Sequence, residues 1–131
     1  MRILNSLCIV AAAMAVVACH PEKISLPPPP VLDGTYVLQT VAGQKVPFIT
    51  PDGSQGINGS TMSVNANGTY SFTLSVRDAG QNQTLSAQGT YVRNGNSITF
   101  KESGDELMTM TWNGSNQLTW MWEEIPFVYE K

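Results

Sequence analysis

Strict alternation of apolar and polar residues is the feature that most constrains the fold of this chain. From Gly68 to Val76 the sequence reads GTYSFTLSV, in which Tyr, Phe, Leu and Val alternate with Thr and Ser. Because successive side chains of a β-strand point to opposite faces, this pattern places the apolar side chains on one face of a sheet. Residues 108–112 and 118–122 repeat the pattern, and no window has a convincing helical period. The domain is therefore predicted to be all-β.

Shorter segments with the same alternation complete a set of eight predicted strands, and they are Thr35–Val41, Thr61–Val64, Leu85–Val92, Ser97–Lys101 and Phe127–Glu130. Asn, Asp and Gly are concentrated in the connections at 65–68, 93–96, 103–105 and 113–116, where they favour the positive φ of hairpin turns. Short connections place consecutive strands side by side, and pairing of the first strand with the last removes exposed edges. Residues 33–131 are therefore predicted to form a single small antiparallel eight-stranded up-and-down β-barrel.

One connection, Gln44–Gly59, is too long for a hairpin turn. It contains turn-forming residues, yet Val46, Phe48 and Ile49 are too apolar for a loop that is free in solvent. We expect this segment to fold over one mouth of the barrel as a lid or plug.

The first 18 residues have the character of a secretory signal, with Arg2 followed by an apolar run that ends at Ala18. The run is slightly shorter than the about twenty apolar residues that a spanning helix needs. Val16-Val17-Ala18-Cys19 resembles the bacterial lipobox, whose Cys receives a diacylglycerol and becomes the first residue of the mature protein. The resemblance implies lipidation of Cys19 and a membrane as partner. An ordinary cleaved signal with an incidental Cys is the alternative.

The residue after Cys19 bears on localisation. Gram-negative lipoproteins that stay at the inner membrane commonly have Asp at that position, whereas this chain has His20. The resemblance therefore implies a location in the bacterial cell envelope, at the outer membrane facing the periplasm if the host is Gram-negative.

A proline-rich segment separates the predicted anchor from the barrel. Proline fixes φ and lacks a backbone donor, so Pro27–Pro30 is expected to form a stiff polyproline II spacer. The predicted organisation is a signal peptide over 1–18, a lipidated Cys and tether over 19–32, and the barrel over 33–131.

The tripeptide Gly-Thr-Tyr occurs at 34–36, 68–70 and 89–91, each time at or within the start of a predicted strand. Together with Val41, Gly43, Val46, Pro47 and the closing 127–129, these tripeptides resemble small bacterial lipocalin-like proteins over nearly all of 33–131. The resemblance implies uptake of a small hydrophobic ligand. The larger lipocalins have Trp where this chain has Tyr36, and they carry a helix after the barrel and an Arg that are not recognisable here.

The residue inventory of the body argues against catalysis. Both cysteines and the single histidine lie at or before His20. The predicted barrel over 33–131 therefore has no His to act as general base for a nucleophile, no nucleophilic Cys, and neither of the usual zinc ligands Cys and His. The formal net charge is −3 and no basic patch exists, which disfavours nucleic acid. We predict no enzymatic activity, no cofactor and no metal site, and the sequence identifies no protein partner.

Apolar side chains at predicted inward positions are the candidates for a ligand pocket or a solid core: Tyr36, Leu38, Phe48, Phe72, Leu74, Tyr91, Phe100, Met110, Trp112, Trp120, Trp122 and Phe127. One hypothesis is an apolar pocket beneath the lid. A second is a solid barrel that acts as a structural or interaction module, such as an envelope partner or a protease inhibitor. The third is Cu(I) binding by Met108, Met110 and Trp112, because thioethers select that ion, although the His of a comparable copper-chaperone site is missing.

Overall fold

The computed structural model describes residues 26–131. The predicted signal peptide at 1–18, the predicted lipidation at Cys19 and the first part of the tether lie outside the described residues. Residues 26–31 are exposed and form neither helix nor strand. The rest of the described chain contains β1 (Gly34–Val41), β2 (Gln44–Lys45), β3 (Phe48–Ile49), β4 (Gly56–Val64), β5 (Thr69–Asp78), β6 (Gln81–Asn94), β7 (Ser97–Glu102), β8 (Asp105–Trp112), β9 (Gln117–Trp122) and β10 (Ile125–Glu130). No helix in this part of the chain has the length and apolar character to span a membrane.

Eight of the strands close into an antiparallel barrel, which confirms the predicted fold class. Neighbours in sequence pair from β4 through β10, and β1 completes the ring by pairing with β10 on one side and β4 on the other. All eight strands predicted from alternation are present at their expected places. The two additional strands, β2 and β3, extend the sheet beside β1 and β4.

The prediction that Gln44–Gly59 forms a lid is wrong for most of the segment. Gly56–Gly59 belongs to β4, and Phe48 pairs with Ile57 in the short β3–β4 ladder. Val46 packs against the core, but Phe48 and Ile49 are 37% and 45% exposed. The segment forms ladder bonds along the rim because backbone groups at the mouth need partners, and residues 44–49 therefore follow the wall and do not cover the opening.

The predicted turns are confirmed, and three further turns use residues that sequence reasoning did not select. Gly68, Gly95, Gly104 and Gly114 all have positive φ, as expected. Ala42-Gly43, Ala79-Gly80 and Glu123-Glu124 also have positive φ at both positions. Two consecutive left-handed residues suit the twist of a two-residue hairpin, and the third of these turns achieves this without glycine.

A continuous apolar core fills the barrel from its base. We call the end with the connections at 65–68, 95–96 and 113–116 the base, and the opposite end the mouth. Leu32, which precedes β1, packs into the core at the base, where the Tyr36 hydroxyl donates to its carbonyl oxygen at 2.6 Å. Among the described residues, the buried apolar side chains lie between Leu32 and Tyr129. Since residues 26–131 contain a continuous apolar core, we expect this segment to fold by itself.

Candidate functional site

A cavity of about 230 Å³ lies in the mouth half of the barrel. Its walls come from β5, β6, the β7–β8 hairpin and β9, and the lining residues are Phe72, Leu74, Leu85, Ser86, Ala87, Glu102, Leu107, Met108 and Trp120. The wall is apolar apart from Ser86 and Glu102. The barrel is therefore filled at its base and has a partly open apolar cavity on one side near its mouth.

The register between β5 and β6 explains why space remains here. Phe72 is paired with Ala87, and Leu74 with Leu85, so these inward side chains lie side by side on one face. Alanine contributes one carbon opposite the large ring of Phe72, and β6 has no fully buried residue. The small side chain of Ala87 therefore leaves the room that the cavity occupies.

Gly89, two residues further along β6, has a different role. A Cβ atom built on it would overlap the carbonyl oxygen of Lys101, because β7 turns across the inward face of β6 at this point. The β7–β8 ladder shifts register between Phe100 and Lys101, as a β-bulge does where a strand bends. Pairing between β6 and β7 stops at Thr90 and Lys101, and the wall of the barrel opens beyond it.

Aromatic rings form the wall opposite β5 and β6. The ring of Trp120 lies 5.1 Å from that of Phe127 and 6.5 Å, edge to face, from that of Phe72. Trp122 stacks on Trp120 at 6.2 Å with an interplanar angle of 19°, and it is 51% exposed. Such offset and edge contacts are favourable arrangements for aromatic pairs, so they hold Trp120 at the cavity wall.

Negative charge is concentrated around the mouth. The acidic side chains at this end are Asp52, Asp78, Glu102, Asp105, Glu106, Glu123 and Glu124, all exposed, and the basic ones are Lys45, Arg77 and Lys101. The base carries Asp33 and Glu130 with Arg93 and Lys131. The excess of acidic groups in residues 26–131 therefore lies at the end where the cavity is.

The pKa values of two further groups are shifted, those of Asp52 near the mouth and of Tyr70 near the start of β5. Hydrogen bonds from the Thr50 hydroxyl and from the Ser54 amide and hydroxyl lower the pKa of Asp52 to about 2. Burial, and secondarily the charge of Glu102, raise the pKa of Tyr70. The Tyr70 hydroxyl is buried and has no hydrogen-bond partner among the described residues. It stays neutral, which suits its place against the Phe100 ring at 4.9 Å.

The structure divides the predicted site residues into three groups. Phe72, Leu74 and Trp120 line the cavity. Tyr36, Leu38, Tyr91, Phe100, Met110, Trp112 and Phe127 belong to the filled core or pack against it. Phe48 and Trp122 are exposed at the mouth.

Sequence reasoning did not select the cavity residues Leu85, Ala87 and Leu107, nor the polar Ser86 and Glu102, and it considered Met108 only as a ligand for Cu(I). Leu85 and Ala87 alternate with polar residues in the predicted strand 85–92, and both line the cavity. Periodicity does not reveal which side chain lies opposite on the neighbouring strand, and therefore does not reveal where space is left. The pairing of Ala87 with Phe72 is a property of register alone.

No group of three or more His, Cys, Asp or Glu side chains within residues 26–131 is placed so that it could hold a metal ion. Of the three residues considered for Cu(I), Met108 reaches the cavity, while Met110 and Trp112 are buried in the core. The Arg93 guanidinium lies over the Trp112 ring at 4.8 Å from its centroid, so this ring already has a cationic neighbour.

Comparison with models of known protein families, with curated proteins and with solved structures found no match for this chain. The closed eight-stranded antiparallel barrel is compatible with a calycin-like fold.

Proposed function

We propose that this chain is a lipid-anchored protein of the bacterial cell envelope whose lipocalin-like barrel binds a small hydrophobic ligand. The observation that carries the ligand assignment is the cavity of about 230 Å³ beside β6. Ligand sites are typically concave and mostly apolar, with few polar groups that orient the ligand. Glu102 and Ser86 are the polar groups available here.

The volume limits the size of the ligand. A cavity of roughly 150 Å³ accommodates benzene, whereas pockets for drug-sized ligands begin at about 300 Å³. The cavity of this barrel lies between these values. A single ring or a short alkyl chain therefore fits better than a full-length fatty acid or a sterol.

The position of the tether supports an orientation for the anchored protein. The chain enters the barrel at the base, where the Lys131 ammonium group donates to the carbonyl oxygens of Val31 and Asp33. The cavity lies in the opposite half. If Cys19 is acylated, the mouth faces away from the membrane, and the ligand would arrive from the aqueous compartment.

A binding role, and not a catalytic one, is part of this proposal. Residues 33–131 contain neither His nor Cys, and the carboxylates at the mouth are exposed strand ends and turns. No cofactor is assigned for the same reason. Cu(I) binding at Met108, Met110 and Trp112 remains a third hypothesis, and quenching of Trp112 fluorescence by Cu(I) would support it.

Ligand binding can be tested through tryptophan fluorescence of the segment 26–131. The titrants are single-ring aromatics and fatty acids of increasing chain length, and Trp120 reports on them because its ring is part of the wall. We expect a response that is strongest for the short ligands. A flat response to the whole series would contradict the proposal.

Two neighbouring substitutions on β6 provide a matched pair for this test. Ala87→Phe fills the cavity from within, whereas Gln88→Phe adds the same side chain on the outward face of the same strand. We expect Ala87→Phe to weaken binding at least tenfold and Gln88→Phe to leave it unchanged. Thermal unfolding of both variants establishes that the barrel is folded.

The anchor is tested separately in cells fed an alkyne-labelled fatty acid. Cys19→Ala should lose the label and move from the membrane to the soluble fraction. Cys8→Ala, within the predicted signal peptide, should keep both the label and the membrane location. Label on the Cys19→Ala protein would contradict lipidation at this residue.

The alternative function is a structural or protein-interaction module that acts through its surface. One observation favours it: part of β6 has a free edge in an otherwise closed wall.

A further inference from the structure

The amino-terminal half of β6 is an unpaired strand edge. Residues 81–90 pair with β5 over their full length, but β7 pairs only with residues 90–94. Within the described part of the chain, residues 81–89 therefore have a partner on one side only. Closed barrels leave no such edge, so this one is a departure from the simple ring.

The free backbone groups can be identified from the ladder. In an antiparallel pair, residues that exchange both hydrogen bonds alternate with residues that exchange none. The two-residue turn Ala79-Gly80 makes Asp78 and Gln81 a hydrogen-bonded pair. The Tyr91 amide donates to the Gly68 carbonyl oxygen, which likewise shows that the odd-numbered residues of β6 bond to β5. The amide and carbonyl groups of alternate β6 residues therefore point away from β5, and these are Asn82, Thr84, Ser86 and Gln88.

This edge lacks the features by which proteins usually prevent edge-to-edge association. Exposed edges are commonly protected by Lys, Pro, inward charges or bulges. Residues 81–89 read QNQTLSAQG, with no charge and no proline, and the β5–β6 ladder contains no bulge. The edge is held open by the fold itself, because Gly89 lets β7 turn inward across β6.

The cavity adjoins this edge and supplies selectivity for a side chain. Leu85, Ser86 and Ala87 belong to both the edge and the cavity wall. A strand that pairs with β6 would direct alternate side chains inward, so an apolar one would enter the cavity. Glu102, Asp105 and Glu106 lie on the other side of the gap and favour positive charge beside it.

We propose that the edge of β6 binds an extended peptide that adds a strand to the sheet. The peptide places an apolar side chain in the cavity and basic side chains against the acidic mouth. Strand addition derives its affinity from main-chain hydrogen bonds and its specificity from pockets for alternate side chains, and this site offers both. The proposal does not depend on uptake of a small lipophile, because the edge exists whether or not the cavity binds one.

The probe is a blocked eight-residue peptide of alternating Thr and Val with a central Leu and a Lys at each end. Amide hydrogen exchange in the segment 26–131 is measured with and without it. We expect slower exchange at the amides of residues 82, 84, 86 and 88, and no change at residues 83, 85 and 87, which already bond to β5. Protection that does not follow this alternation overturns strand addition.

Two peptide controls separate the sources of affinity. The same peptide with alternate residues N-methylated lacks donors along one edge and should bind at least tenfold more weakly. Replacing its two Lys by Glu should weaken binding as well, because the mouth is acidic, and this difference should shrink at high salt. Equal binding of the N-methylated and unmodified peptides overturns the proposal without any change to the protein.

Thr84 provides the matched protein variants. Its amide points to the free edge, so Thr84→Pro removes a donor for the peptide while leaving the β5–β6 ladder intact. Thr84→Ala keeps the amide. We expect Thr84→Pro to weaken peptide binding at least tenfold and Thr84→Ala to leave it within a factor of two. Equal binding by a folded Thr84→Pro protein overturns the assignment.

The remaining occupant of this edge would be a second copy of the chain. Self-association that Thr84→Pro abolishes, together with no peptide binding, would assign the edge to a dimer and overturn the proposal. The small-ligand test stands apart, because Thr84 does not line the cavity. Thr84→Pro should therefore still bind the short lipophiles, and Ala87→Phe should not.

Discussion

The Tyr129 hydroxyl donates to the Ser60 hydroxyl oxygen across 2.9 Å inside the barrel. The direction follows because Ser60 uses its own hydrogen on the carbonyl oxygen of Thr73, at 2.6 Å. Ser60 is the one buried polar residue of the core within the described chain, and this relay connects β10, β4 and β5. It allows polar groups in an apolar interior because each donor has an acceptor.

Loss of one partner of this relay should cost more than loss of both. Ser60→Ala leaves the Tyr129 hydroxyl buried without an acceptor, so we expect about 1–3 kcal/mol lower free energy of unfolding. Adding Tyr129→Phe removes the hydroxyl that Ser60→Ala leaves without an acceptor. The double variant should therefore be more stable than the sum of the single changes implies, as measured by urea unfolding. Strict additivity would show that the two hydroxyls do not interact.

The barrel should lose stability in alkaline solution. Burial raises the pKa of both Tyr36 and Tyr129 from 10.0 to about 12. The unfolded chain releases these protons near pH 10, whereas the folded chain keeps them to about pH 12. Stability is therefore fully present below pH 10 and is lost as the pH rises towards 12.

Urea midpoints across this pH range measure the effect, and the absorbance of tyrosinate follows the ionisation directly. Tyr129→Phe removes one of the tyrosines whose pKa is raised by burial and should flatten the decline. A stability that does not change between pH 10 and 12 would contradict the burial of these hydroxyls.

Gly89 should not tolerate a side chain. Gly89→Ala would place a methyl group against the Lys101 carbonyl oxygen, which is backbone and cannot move without shifting β7. We expect a loss of about 1–3 kcal/mol, as for other overpacked sites. The matched control is Gly59→Ala in β4, where a Cβ atom meets nothing within 4 Å, and we expect little change there. Chemical denaturation of both variants compares them.

The turn at the mouth should be open to improvement. Glu123 and Glu124 have φ of 47° and 69°, a region that disfavours most side chains. Asn and Gly adopt it readily, so Glu123→Asn with Glu124→Gly should raise stability by about 1 kcal/mol. Gln at both positions removes the same charges but keeps the strain, and it is the control in a thermal unfolding assay. An equal gain from the Gln pair would assign the effect to charge.

Alternation along the chain was sufficient to predict the eight strands of the barrel and most of the residues that point inward. Tyr70 and Phe72 are buried, and their neighbours Ser71 and Thr73 are exposed, as the pattern of residues 68–76 requires. These properties could be predicted because they depend on side chains two residues apart in the sequence. The Asn- and Gly-containing hairpin turns were predictable for the same local reason.

The lid was mispredicted because hydrophobicity alone does not identify the partner of a segment. Phe48 and Ile49 form ladder bonds with the first residues of β4, and this pairing left their side chains partly in solvent. The repeated Gly-Thr-Tyr tripeptide gives a similar lesson. Gly34 and Gly68 have the positive φ expected at a strand entry, but Gly89 lies within a strand and serves the close approach of Lys101.

The sequence by itself determined an all-β domain, the eight strands of its barrel and the aromatic and aliphatic side chains available to its interior. Only the tertiary structure decided where the interior is empty and where the wall is unpaired. Both depend on register between strands, which brings Ala87 opposite Phe72 and Lys101 over Gly89. Register is fixed when the ring closes, because closure requires every pair of neighbouring strands to be compatible at once, and no single segment of the sequence carries that condition.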